Sequence, residues 1–156
     1  MHILFGGLAK YDLIDILQSI IDGVDSTRVS LNEINTKIKL FDFGRGKSRN
    51  KPSKIKDNII DDNPSLSMTT AQTWSMVLLL PFILDEAIDV THFDYAFFNQ
   101  LRLIIQICFS NVIKLHHLDL LDETIKKYYD NYLKQNTLSN VPKLHYLCHL
   151  VETIKR

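Results

Sequence analysis

Two clusters in this sequence hold side chains able to do chemistry. The first is the stretch "NVPKLHYLCHLVETIKR", where His145 and His149 stand four residues apart with Cys148 between them. On a helix, positions i and i+4 share one face, the spacing at which two imidazoles can meet one metal ion. Cys148, three residues from His145, shares part of that face. Zinc takes four ligands, or three and a water. His92, His116 and His117 come without a carboxylate or cysteine at a recognised spacing. His145 and His149 are therefore expected to pack and hydrogen-bond at a helix interface, and no metal or other cofactor is assigned.

The second cluster is "RGKSRNKPSKIK", which carries Arg45, Lys47, Arg49, Lys51, Lys54 and Lys56 with no acid among them. Six cations on flexible backbone suit the phosphates of a nucleic acid, a salt-dependent contact that does not read sequence. No aromatic is interleaved, so base stacking is not implied. The competing reading is a solvated loop offset by Asp57, Asp61 and Asp62. "GRGKS" lacks the spacing of a phosphate loop. Asp12 and Asp15 read as a solvent-facing helix edge, and Asp85, Glu86 and Asp89 as a polar turn. Tyr128, Tyr129 and Tyr132 read as core-edge residues whose hydroxyls reach water. Neither cysteine has a nucleophile signature around it, and no catalytic residue is assigned.

The elements that must position these groups are helical almost throughout. Leu8, Tyr11, Ile14, Leu17 and Ile21 recur at three and four, with Gly23 placed as a C-cap. Ser30 and Glu33 make a capping box ahead of Leu31, Ile34, Ile38 and Phe41. A loop spans about 42–67, where Gly44, Gly46, Pro52 and Pro64 break any regular element. A third helix runs from Thr69 to Leu84 and bends or ends near Pro81. Thr91 caps a fourth, with Phe93, Phe97, Leu101, Ile104, Cys108 and Val112 on its stripe. Asp119 opens a fifth through Leu121, Ile125, Tyr128 and Tyr132. Asn140 and Pro142 start a last helix with no stop signal. The expectation is an all-α (or nearly all-α) single domain, residues 1–156, of five or six packed helices. "HILF" at residues 2–5 is the one place for a short strand.

The totals fit this. The 156 residues are 46% apolar and 23% charged, a globular composition. Eighteen basic residues balance eighteen acidic ones, so only local clustering can point to a partner. The run "MVLLLPFIL", Met76 to Leu84, has about half the roughly 20 residues that a membrane span needs. It reads as core, and no membrane partner is expected. With no signal peptide in front, the two cysteines read as free thiols in a reduced, intracellular setting, nuclear or cytoplasmic.

Four pieces in order, "MHILFGGLAKYDL", "FDFG" with "NKP" after it, "AQTWSMVLLLPFIL" and "PKLHYLCHLVETIKR", together resemble transposase-derived proteins of the CACTA (En/Spm) type. The resemblance covers nearly the whole chain, and the fixed order carries it, since each motif is weak alone. It implies an RNase-H-like catalytic sheet with two metal ions and a long helical insertion. This chain would be mostly that insertion. The family opens M-H-D-x-x-E-G; here His2 matches, but Ile3 and Gly6 stand at the two acidic positions, and neither can ligate a metal through its side chain. His145 and His149 match the family's P-K-x-H-x-x-x-H. The chain stops short of the aromatic-rich segment that comes next in the family, which reads as a severed domain. Magnesium would belong only to a complete, active relative. The resemblance and the basic run together imply an inactive transposase-derived fragment that binds DNA through Arg45 to Lys56. The alternative is a helical protein-interaction module, whose excess apolar surface would meet a protein partner.

Overall fold

The computed structural model describes residues 7–23, 29–44, 50–84, 93–134 and 141–155 (backbone only at 93–94 and 141–143). Among the described residues the chain is all α: six helices, the last interrupted once, one 3-10 turn and no strand. Residues 2–5, the place allowed for a strand, lie outside them.

Helix α1 (Ala9–Asp22) ends where Gly23 turns to φ 34° and its N–H meets the Ser19 carbonyl at 3.2 Å. Its neighbours widen its buried face, because α1 packs against α3, α4 and the 3-10 turn together. Leu13, Ile16 and Ile20 are therefore buried beside Ile14, Leu17 and Ile21. Tyr11, assigned to the apolar stripe by spacing, is instead 44% exposed.

Helix α2 (Leu31–Leu40) starts on the expected capping box. The Glu33 N–H donates to Ser30 Oγ at 3.3 Å, and the Ser30 N–H donates to Glu33 Oε2 at 2.8 Å. Ile34 and Ile38 are its buried residues.

The segment between α2 and α3 is not an open loop. A 3-10 turn, Asp57–Ile60, forms within it, and Phe43, Ile55, Ile59, Leu66 and Met68 are all buried. The prolines and glycines do bar a long helix here. Ile55 and Ile59, four apart, still pull the chain onto the core in one tight turn.

Helix α3 (Thr70–Leu84) opens on a second reciprocal cap. The Thr69 N–H donates to Gln72 Oε1 at 2.9 Å, and the Gln72 N–H to Thr69 Oγ1 at 3.3 Å. It continues through Pro81 to Leu84, so the proline costs one hydrogen bond without ending the helix. Contacts with α1, α2 and α4 explain its nearly unbroken apolar sequence. Among the described residues, no helix is long and apolar enough to cross a membrane.

Helix α4 (Phe93–Cys108) packs along α5 (Leu115–Lys134). Thr91, its expected cap, lies outside the described residues. Val112, expected on the α4 stripe, falls beyond the helix end and is 65% exposed. Helix α5 begins four residues before Asp119. There the Lys114 N–H donates to His117 Nδ1 at 3.2 Å, the job a Glu does in a capping box.

The last helix, expected to run unbroken, is divided into α6 (Val141–Cys148) and α7 (Leu150–Lys155). At the break the His149 N–H reaches three residues back, to the Tyr146 carbonyl at 3.3 Å. Thr153 then donates both its N–H and its Oγ1 to the His149 carbonyl, at 3.1 and 2.9 Å. Leu144, Leu147 and Val151 are buried, and both segments pack on α5.

One cluster joins all these elements, with Leu8, Leu13, Leu17, Met76, Leu80, Leu101 and Tyr128 fully buried at its centre. Each buried leucine contributes about 1.5–3 kcal/mol of transfer free energy.

Candidate nucleic-acid interface

The face of α2 flanking Ile34 and Ile38 carries Asn32, Asn35, Thr36 and Lys39. Their spacing of three, one and three puts all four on one side of the helix. Residues 51–56 are laid against this polar stripe and fixed there. The Asn35 side chain donates to the Ile55 carbonyl at 2.9 Å and accepts the Ile55 N–H at 2.8 Å. One amide thus satisfies both polar groups of one peptide residue, as a neighbouring strand would.

Three further bonds hold the segment. Lys51 Nζ donates to the Lys39 carbonyl at 2.7 Å, in the last turn of α2, where a cation offsets the negative helix end. Gln72 donates to the Lys51 carbonyl at 3.0 Å, and Ser53 to the Ser67 carbonyl at 2.9 Å. Between α2 and the segment lies a groove of 390 Å³, lined chiefly by Asn32, Asn35, Thr36, Lys39, Lys51 and Lys54. No carboxylate lines it among the described residues.

The six expected cations divide accordingly. Arg45, Lys47 and Arg49 lie outside the described residues. Lys51 is committed to α2 and to the ring of Phe43, 5.6 Å from its centroid. Lys54 and Lys56 are exposed on a segment that is anchored, which corrects the expectation of flexible backbone. Lys39 joins them from α2, and sequence reasoning missed it. The signal was the polar helical stripe itself, legible only once a second segment was known to face it. Of the offsetting acids, Asp61 and Asp62 flank a shallow depression after the 3-10 turn, while Asp57 opens that turn directly after Lys56 and is exposed.

Among the described residues the carboxylates gather into no second site. Asp15 is exposed, as expected, but Asp12 is 2% exposed, which overturns its place on a solvent edge. Its Oδ2 accepts the Tyr128 hydroxyl at 2.8 Å, and its Oδ1 has no partner among the described residues. Burial pushes the Asp12 carboxyl well above the usual range; the Tyr128 hydrogen bond works against that and the Asp15 charge adds to it. Tyr128 is pushed up likewise, by burial first and then by Asp12. Tyr128 and Tyr132 are core residues, not core-edge ones: Phe97 stacks on Tyr128 at 4.6 Å between centroids. Asp85, Glu86 and Asp89 lie outside the described residues.

His145 and His149 are both exposed, which corrects their expected packing at an interface. Their Nε2 atoms stand 3.2 Å apart. Cys148 Sγ contacts the Leu144 carbonyl at 3.9 Å, and burial raises its thiol pKa. Burial pushes the Cys108 thiol up to about 11, so it is protonated at neutral pH. His2 lies outside the described residues. No protein-family model, curated protein or solved structure matches this chain.

Proposed function

We propose that this chain is a transposase-derived helical module, catalytically inactive, that binds the nucleic-acid backbone along the groove between α2 and residues 51–56. The observation that carries the reading is the convergence of Lys39, Lys51 and Lys54 with three amide or hydroxyl side chains, with no lining acid among the described residues. Lysine ammoniums neutralise phosphates, and Asn and Thr side chains supply the positioning hydrogen bonds such interfaces use. The exposed Lys56 extends the same strip, and in sequence Arg45, Lys47 and Arg49 lead into it. Such a role places the protein where nucleic acid is, in the nucleus or cytoplasm. The reading as inactive is supported by Ile3 and Gly6, which stand at the two acidic positions of the family's opening motif.

The test is fluorescence anisotropy of a labelled duplex at several salt concentrations. Binding is expected to weaken linearly in log–log form, and replacing Lys39, Lys54 and Lys56 with Gln lowers the slope by about 0.9 for each phosphate no longer neutralised. Salt-independent binding, or an unchanged slope in the triple variant, overturns the reading.

The alternative, a protein-interaction module, draws on Val112 in the connection between α4 and α5 and Leu115 at the start of α5, 65% and 82% exposed. Leu133 is exposed too, but it stands about 27 Å along α5 from Leu115 at 1.5 Å per residue. Light scattering showing self-association that Leu115→Ser abolishes would favour this second reading.

A further inference from the structure

We propose that His145 and His149 form a two-imidazole chelate for a late first-row divalent metal ion, of the class of Zn2+, Ni2+ and Cu2+. The Nε2 atoms are 3.2 Å apart with the rings at 81° to each other. Metal–nitrogen bonds of about 2.0–2.1 Å place two ligand nitrogens about 3.3 Å apart at a tetrahedral angle and about 2.9 Å apart at a right angle. The observed separation falls between these, so the spacing of the two nitrogens suits a single ion.

The pair is also available. Both residues are exposed, and among the described residues the one polar contact of each Nε2 is with the other. In the ion's absence that contact needs one Nε2 to carry a proton and the other to accept it. A bound ion takes both Nε2 lone pairs, so the ring that carried its proton on Nε2 changes tautomer, giving that proton to solvent and taking one up at Nδ1, with no net proton released.

The backbone between the two is set by the bond from the His149 N–H to Tyr146 and by Thr153 bonding the His149 carbonyl. Imidazole suits zinc, nickel and copper, whereas magnesium and calcium want oxygen. Cys148 Sγ lies on the Leu144 carbonyl, and no group of three His, Cys, Asp or Glu gathers among the described residues. Water therefore fills the remaining positions, and the ion exchanges readily. The site is on α6 and its junction with α7, and does not depend on the basic groove.

Calorimetric titration of the full chain with NiCl2 tests it. One ion per chain is expected, and His145→Ala or His149→Ala weakens binding about a hundredfold, the advantage that disappears when two linked ligands become one. Cys148→Ser and the double variant His116→Ala/His117→Ala bind as the parent does. In the unmodified chain, Cu2+ broadens the imidazole NMR signals of His145 and His149 before those of the other histidines, a readout independent of any variant's folding. No saturable binding, affinity that survives both single substitutions, or loss on Cys148→Ser alone overturns the proposal.

Discussion

Two joints in this molecule are made by polar side chains, one at the surface and one in the core. Asn35 ties residues 51–56 to α2, and its amide gives Ile55 both a donor and an acceptor. Asp12 ties α1 to α5 through Tyr128, using one oxygen and leaving the other without a partner among the described residues. The surface joint is half-exposed, so water can replace whatever it loses. The core joint has no such substitute: inside a low dielectric each hydrogen bond is stronger and each unpaired group dearer. The polar contact in the core is therefore the more fragile, although it is the deeper buried.

The largest expected effect comes from breaking the core joint on one side. Tyr128→Phe keeps the ring on Phe97 but removes the donor to Asp12 Oδ2. A buried group left unpaired costs about 1–3 kcal/mol, read as a lower urea midpoint with an unchanged slope. Replacing the other partner sharpens the point. Asp12→Leu has nearly the same shape, so adding it to Tyr128→Phe is expected to recover part of the loss, since an apolar pair leaves nothing unpaired. A double variant less stable than Tyr128→Phe would mean that Asp12 stabilises the core by itself.

Acidity probes the same joint without altering the hydroxyl. An aspartate in the unfolded chain titrates at about 3.9, and burial raises the folded value of Asp12. Above about pH 3.9 the folded chain therefore holds a proton that the unfolded chain has released. The stability this gives is complete below the unfolded value and is lost as pH rises through the raised folded value. The slope is at most about 1.4 kcal/mol per pH unit. Urea midpoints measured upward from about pH 4 should show this fall superimposed on the other carboxylates, and Asp12→Asn should remove it. An identical pH profile in Asp12→Asn would show that the carboxyl is ionised in the fold. The surface joint has no counterpart to this, since an amide does not titrate.

The contrast also marks what could be read in the sequence. The Ser30–Glu33 box and the Gly23 cap were legible because each is decided within a few residues of itself. The all-α class was legible from periodicity repeated over the whole chain. Asp12 was not, because its buried partner, Tyr128 of α5, lies 116 residues away in sequence. The α5 start was missed because a histidine, His117, does the capping. The break at His149 depends on Thr153, which carries no stop signal. The basic run stood out by composition, but the commitment of Lys51 to α2 and the recruitment of Lys39 could not, since both arise from one segment lying on another. The resemblance to transposase-derived proteins likewise rests on motif order, and the fold neither adds to it nor takes from it.

The smallest effect on stability belongs to the surface joint, where it is also the most informative about function. Asn35→Ala removes two partly exposed hydrogen bonds and is expected to cost about 1 kcal/mol. No charge is removed, because Lys39, Lys51, Lys54 and Lys56 all remain. The variant loses the anchor next to Lys54, and with it the fixed spacing of that ammonium from Lys39 across the groove. If the groove binds a nucleic-acid backbone, affinity should fall while the dependence on salt keeps its slope, since the number of counterions released is set by the charges and not by their tethers. Neutralising Lys54 should do the reverse, leaving the urea midpoint in place and lowering the slope. The two variants separate a groove that positions its cations from a loop that merely carries them. An affinity that ignores Asn35→Ala would mean that the lysines act as a loose positive strip, and the anchoring by Asn35 would then serve the fold alone.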